Sequence, residues 1–228
     1  LDGYRTFGEV ESYLKNLETT YPESVHVSTY GTTEQGHPLY VVKISDNVAQ
    51  EENEPNLLIT SATHGDELIT TEVTLRLMEE ILQGYRQNIG RFKKMVDDHE
   101  LYFIPVVNPD GFVEHQRYSN GTDPNRDYPW PEQPQHTSVA CIRHIIDFFS
   151  TQPFRGSIDF HAYGRLLMYP WAYKREAPDQ KSLADFDALG NYMAKDNNYT
   201  VGQISRVIYV AKGSSADFYF WKSSSLSY

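Results

Sequence analysis

Cysteine is almost missing from this chain of 228 residues: Cys141 is the only one, so no internal disulfide can form. That leaves the compartment open, because secreted bacterial enzymes often lack disulfides too. Positive charge is also short, with 20 Lys and Arg against 31 Asp and Glu and a net charge of −11. A balance this acidic argues against nucleic acid and anionic membrane surfaces as partners. No apolar run approaches the ~18 residues of a membrane-spanning helix. Linkers, low-complexity tracts and internal repeats are absent as well, and the simplest reading is one domain over residues 1–228. No signal sequence precedes Leu1, so an exported protein would have had one removed.

Cys141 lies on a helix-like run from Thr137 to Phe149, among Val139, Ile142, Ile145 and Ile146. That setting marks an inert core thiol rather than a nucleophile or ligand. Glu51-Glu52-Asn53-Glu54 and Asp97-Asp98 read as solvated loops. Asn120-Gly121-Thr122 and Asn198-Tyr199-Thr200 fit the glycosylation pattern, which carries meaning only in a eukaryotic secreted chain.

Strand and helix patterns alternate. A helix is expected from about Thr6 to Thr19, then a strand pair at Val25 to Tyr30 and Leu39 to Ile44. Asn56 to Thr60 reads as a buried strand, followed by a helix after Glu67 with Leu68, Val73, Leu77, Met78, Ile81 and Leu82 on its apolar face. Leu101 to Val107 is a second buried strand, ending at the turn Asn108-Pro109-Asp110-Gly111. A Gly/Asn/Pro-rich loop runs to about Pro134, and then comes the Cys141 helix. Ser157 to Phe160 is a short strand delivering His161. Further helices are expected over Ser182 to Lys195 and from near Ser214. This alternation predicts an α/β fold, an open, mixed but largely parallel twisted sheet with helices on both faces.

His64-Gly65-Asp66-Glu67 falls just beyond the Asn56 strand, where ligands collect in such sheets. A catalytic zinc takes three protein ligands and keeps a fourth position open. His64 and Glu67 supply two, and His161 at another strand end is the natural third. His37 falls in a turn and His144 on the Cys141 helix, while His26, His99, His115 and His136 lack a strand-end setting. The loop from Arg117 to Arg126 adds two arginines and an asparagine. Arginine pairs with carboxylates in bidentate fashion and can stabilise an oxyanion, so a substrate bearing a carboxylate is expected.

The ordered set of motifs resembles the zinc carboxypeptidases of the carboxypeptidase A type over nearly the whole chain. The carrying motifs are His64-x-x-Glu67, Asn108-Pro109-Asp110-Gly111-Phe112, Asp123-x-Asn125-Arg126, Phe160-His161-Ala162-Tyr163 leading into Leu167-Met168-Tyr169-Pro170, and Ile208-Tyr209 followed by Gly213, Ser215 and Asp217. The resemblance implies that His64, Glu67 and His161 hold one zinc ion and that Asp123 orients a ligand histidine. It implies that Asn125 and Arg126 grip the substrate's terminal carboxylate, that Tyr209 closes over it from a mobile loop, and that Arg117 polarises the scissile carbonyl. The pocket for the departing side chain would include Met168, Ala172, Ile204, Ala211 and Ala216. Ala216 stands where relatives preferring basic residues often carry an acid, so an apolar or aromatic terminal residue is expected. Arg165 and Lys212 near the rim would instead favour an acidic one.

The family's general base is a glutamate on the last core strand, expected about three residues after Tyr228. Ser223 to Tyr228 looks like the approach to that strand, which together with its closing helix is expected in a tail outside these 228 residues. The implied activity is hydrolysis of the C-terminal peptide bond of peptides by a zinc-activated water, by a monomer that is secreted or periplasmic, with a cytoplasmic site also open. The alternatives are an amidohydrolase or deacylase on a small N-acyl amino acid or cell-wall peptide, and a non-catalytic zinc-dependent binder of peptide C-termini.

Overall fold

The computed structural model describes residues 3–228. The elements are α1 (Phe7–Thr20), β1 (Val25–Thr32), β2 (Pro38–Ile44), β3 (Asn56–Ser61), α2 (Leu68–Arg86), α3 (Gly90–Asp97), β4 (Glu100–Ile104), α4 (Pro109–Glu114) and α5 (Ala140–Thr151). They continue with β5 (Phe154–Phe160), β6 (Leu166–Tyr169), α6 (Gln180–Ala194), β7 (Thr200–Gln203), α7 (Ile204–Val207), α8 (Ser215–Ser223) and β8 (Leu226–Ser227). A 3₁₀ turn, Pro124–Arg126, interrupts the long loop before α5.

The main sheet runs β1-β2-β4-β3-β5-β8. β1 and β2 pair antiparallel, as do β2 and β4, while β4, β3, β5 and β8 are parallel. Pleating sends alternate side chains to opposite faces. Leu101 and Phe103 therefore join one cluster with Val42, Ile44 and the apolar sides of α1, α2 and α3. Tyr102 and Ile104 join the other, with Leu39, Val41, Leu58, Ile142 and Phe149 of α5 and Phe218 of α8. Helices thus cover both faces, as the alternating pattern predicts. Burying one large side chain such as Phe103 contributes about 1.5–3 kcal/mol. No helix among the described residues is long and apolar enough to cross a membrane.

Several local expectations are corrected. Val73 is exposed and Leu75 takes its place in the core, while Thr70, Thr71 and Thr74 are also buried. These threonines bond strand-end groups: Thr70 Oγ1 accepts from Ala62 N, Thr71 Oγ1 donates to Pro105 O, and Thr74 Oγ1 donates to Ser61 Oγ. Polar side chains can line a helix's inner face when each finds a partner. Asn108-Pro109-Asp110-Gly111 is not a bare turn but the start of α4, with Asn108 Oδ1 accepting from Gly111 N and proline in the first turn. The sequence patterns also missed α3 and a two-stranded parallel sheet of β6 and β7. The segment read as approaching a last strand is itself in the sheet: Leu226 and Ser227 pair with Gly156 and Ser157 of β5.

The chain order makes β3 a switch point. From β3 the path goes to β4 on one side, then crosses to β5 on the other. The turn carrying His64 lies beyond the carboxyl ends of β3 and β5, where sheets of this order bind ligands. That turn rests on α4 with almost no clearance, since a Cβ on Gly65 would stand 2.0 Å from Gly111 C. Gly65→Ala is expected to lower the unfolding free energy by about 1–3 kcal/mol in urea titration.

Candidate metal centre

His64 leaves β3 three residues past its end, His161 leaves β5 one residue past its end, and Glu67 caps the N-terminus of α2. The strand ends thus aim three donors from separate elements at one point. His64 Nδ1 is 2.9 Å from Glu67 Oε1, and His161 Nδ1 is 3.0 Å from Glu67 Oε2. The two Nδ1 atoms are 3.2 Å apart. Ligands ~2.0–2.1 Å from one tetrahedral ion stand ~3.3 Å apart, so the spacing matches two imidazoles on a shared zinc.

Each ring is held from behind. His64 Nε2 lies 3.2 Å from Asp123 Oδ1, and His161 Nε2 lies 3.0 Å from Asp159 Oδ2. A proton on each Nε2, donated to its carboxylate, turns both Nδ1 atoms toward the convergence. With no metal bound, the second proton of His161 bridges Nδ1 to Glu67 and His64, and a bound metal ion would take that proton's place. Three carboxylates, Glu67, Asp123 and Asp159, surround the centre against the guanidinium of Arg117 and the imidazolium of His161, so the local charge favours a divalent ion in place of the second His161 proton. The donor set of two imidazoles and a carboxylate therefore fits zinc.

The carboxyl groups are held in their charged form. Burial pushes Glu67 upward, but hydrogen bonds from His161 and His64 outweigh it and hold it at about 2. Asp123 is likewise raised by burial but held well below the usual carboxylate range by His64 and Arg117. Asp159 lies at about 2, burial being overcome by the charge and hydrogen bond of His161 and by bonds from Ser215 and Thr60. Burial lowers His161, yet Asp159 and then Glu67 push it up to about 10.

Arg117 lies against this group. Its Nε and Nη2 donate to Asp123 Oδ2 at 3.0 and 2.8 Å, and its Nη1 is 3.2 Å from His64 Nδ1. Asn125 Nδ2 is 3.2 Å from His161 Nε2, and Ser215 N donates to Asn125 Oδ1 at 2.9 Å. Next to it, Arg126 Nη2 donates to Tyr209 OH at 3.0 Å, with Tyr209 55% exposed. Ala216 is buried in the first turn of α8, beside Ser215 and Asp217. Ala172 and Ala211 meet through a backbone hydrogen bond of 2.8 Å and are buried as well. Met168 is half-buried in β6, opposite Gly202. Lys212 pairs with Glu132 at 3.4 Å, both side chains being more than half exposed.

The residue that sequence reasoning missed is Asp159. An acid inside a short strand reads as solvent-facing, but the two-residue period of a strand puts it on the same side as His161. Cys141, by contrast, is fully buried as expected, with its thiol pushed up to about 12 by burial. A second acidic group, Asp46, Glu52 and Glu54, has carboxylates alone and lies by the opening of β3, away from the histidines.

Asp217 ties the segment at Ala172 and Tyr173 to α8, accepting from Ala172 N at 2.7 Å and Tyr173 N at 2.8 Å. Burial raises its carboxyl to about 7 even so. Its folded pKa thus exceeds the ordinary aspartate value of 3.8, so its contribution is full at low pH and is lost as pH rises through about 4 to 7. The stability difference between Asp217→Asn and the wild type should therefore shift in the variant's favour over that window, as read by urea unfolding at stepped pH.

Comparisons with known proteins agree with this geometry. A family model described as zinc carboxypeptidase matches residues 10–228. A zinc carboxypeptidase of Saccharothrix mutabilis subsp. capreolus is 31% identical over an alignment of 260 residues, covering 95% of this chain and 58% of that protein. Human carboxypeptidase A1 is 29% identical over 253 residues, covering 94% of this chain and 59% of its own. The chain thus spans about three fifths of the length of both relatives. Among solved structures, a carboxypeptidase A from Helicoverpa armigera superposes with a TM-score of 0.85 at 20% identity, over 99% of this chain and 63% of that one, a likeness of fold. With its family model matched over nearly its whole length, the chain belongs to the zinc carboxypeptidase family.

Proposed function

We propose that residues 1–228 form one domain of a metallocarboxypeptidase that hydrolyses the C-terminal peptide bond of peptides, with one zinc ion held by His64, Glu67 and His161. The observation that carries this reading is the convergence of His64 Nδ1, His161 Nδ1 and Glu67 within a few ångströms, beside Asn125 and Arg126. Zinc held there supplies Lewis acidity, lowering the pKa of a water and polarising a carbonyl oxygen.

The chain's own residues account for the rest. Ser215 N–H fixes Asn125 Oδ1, so the Asn125 Nδ2 group is a donor. It cannot donate to a His161 Nε2 that carries its own proton toward Asp159, and its hydrogens are left for a substrate oxygen. Arg126 follows directly and offers a planar fork to the same carboxylate, with Tyr209 to exchange its hydroxyl onto the bound acid. Arg117, beside His64, suits the oxygen that gains charge when the carbonyl is attacked. Asp123 holds the His64 tautomer while sharing Arg117. A pocket lined by the small buried residues Ala172, Ala211 and Ala216, with Met168, would favour an apolar or aromatic terminal side chain.

The register of β8 bears on the general base. Ser227 pairs with Ser157, four residues before His161, so a strand continuing in that register would bring the position three past Tyr228 level with His161. That is where the family's glutamate is expected.

The test is metal content followed by a panel of peptide acids and their amides. One zinc per chain, and selective binding or cleavage of the free acids, is the expected result. Acids and amides handled alike would sink the carboxylate grip, while turnover of N-acyl amino acids alone would point to a deacylase. Arg126→Ala should weaken peptide-acid binding about 10- to 100-fold, the loss of a charge-assisted bond, and leave amides unaffected.

A further inference from the structure

We infer that Asp159 is a positioning residue for the metal: through Ser215 and two threonines it locks the His161 ring with Nδ1 turned toward Glu67. The inference rests on the metal reading above and deepens it. Asp159 occupies the next-to-last position of β5, with a side chain only 5% exposed. Its Oδ2 faces His161 Nε2 at 3.0 Å and accepts from Ser215 Oγ at 2.8 Å. Its Oδ1 accepts from Thr60 Oγ1 at 2.9 Å and Thr63 Oγ1 at 3.1 Å. The carboxylate thus receives donors from the end of β3, the turn that carries His64, the start of α8 and the ring itself.

The economy of these contacts sets Asp159 apart from a structural bracket. Among the described residues, no lysine or arginine pairs with it, and His161 is its one ion-pair partner. A buried carboxylate whose one cationic partner is an imidazole is costly, and a neutral asparagine or serine could join Thr60, Thr63 and Ser215 with less desolvation. The negative charge is put to use at one place, the Nε2–H of His161. His64 has the matching arrangement with Asp123, but there Arg117 shares the carboxylate and helps to hold the geometry. His161 has no such helper. It follows the last residue of β5, its side chain is 31% exposed, and Asn125 Nδ2 approaches the same nitrogen. Without Asp159, nothing on that side selects Nε2 as the protonated nitrogen. Ser215 acts as a shared hinge pin: its hydroxyl fixes Asp159 and its backbone N–H fixes Asn125, so the metal ligand and the substrate grip take their alignment from one residue.

The experiment measures zinc affinity by competition with a chromogenic chelator for the wild type, Asp159→Asn, Ser215→Ala and His161→Ala. Thermal unfolding of each metal-free protein and visible spectra of the cobalt(II) forms accompany it. Asp159→Asn should weaken zinc binding about 10- to 100-fold and alter the cobalt spectrum, the loss expected when the partner of a ligand histidine is removed. Ser215→Ala, which keeps the buried charge and deletes one donor, should weaken binding by a smaller factor and covers the case in which Asp159→Asn fails to fold. Wild-type affinity and an unchanged spectrum in the folded variants, with only metal-free stability lowered, would overturn the inference and leave Asp159 a structural residue. A wild type that binds no zinc, or a His161→Ala variant that binds it as tightly as the wild type, would instead overturn the metal reading itself.

Discussion

Two imidazoles keep their Nδ1 atoms aimed at one point when each ring is held from its far side. In this chain that constraint is met by one acid per histidine, Asp123 behind His64 and Asp159 behind His161. Much of the surrounding structure serves those two acids. Asp123 also accepts from Asn125 N, which sets the 3₁₀ turn carrying Asn125 and Arg126. Asp159 gathers hydroxyls from β3, from the turn after it and from α8. The loops are therefore referenced to the centre as well as to the sheet, and the region beyond the ends of β3 and β5 is the place where both sets of references meet.

How much of this was legible in the sequence depended on whether a residue's neighbours along the chain resembled its neighbours in space. His64, Glu67 and His161 could be found because each follows a buried strand, and strand ends are where such folds gather their chemistry. Arg117, Asn125 and Arg126 share one loop, so their grouping was visible in a short window. Asp159 was passed over because its partners, Thr60, Thr63 and Ser215, come from segments about 60 to 100 positions away, and an acid in a strand has no periodic signature of burial. The exchange of Val73 for Leu75 on the core side of α2 has a related cause: the strand ends it meets offer hydroxyls and carbonyls, so threonines rather than a continuous apolar stripe form its inner face. The β6–β7 sheet was hidden for yet another reason, since its strands are four residues each and lie either side of a 15-residue helix.

Charge organises the molecule at two scales. Over the whole chain the excess is negative, and the site repeats that excess locally with three carboxylates around two histidines. A cation bound there is favoured by its immediate ligands and by the acids behind them. Arg117 and Arg126 stand beside this negative ground rather than within it, and each already has an oxygen partner, Asp123 for one and Tyr209 for the other. An anionic group arriving at Arg126 would exchange with the Tyr209 hydroxyl and would not have to break an ion pair.

The contact between Gly65 and Gly111 sets when the freedom of the His64 turn is lost. Main chain lies on main chain there, with no side chain between to act as a cushion. The backbone entropy of the turn, about 1–2 kcal/mol for each residue, is therefore surrendered when α4 docks during folding, not when an ion arrives. Much of the intrinsic affinity of the donor set can then appear as binding, since little of it is diverted into ordering the loop. A pair of residues with no side chains at all thus bears on how tightly this site can hold a metal.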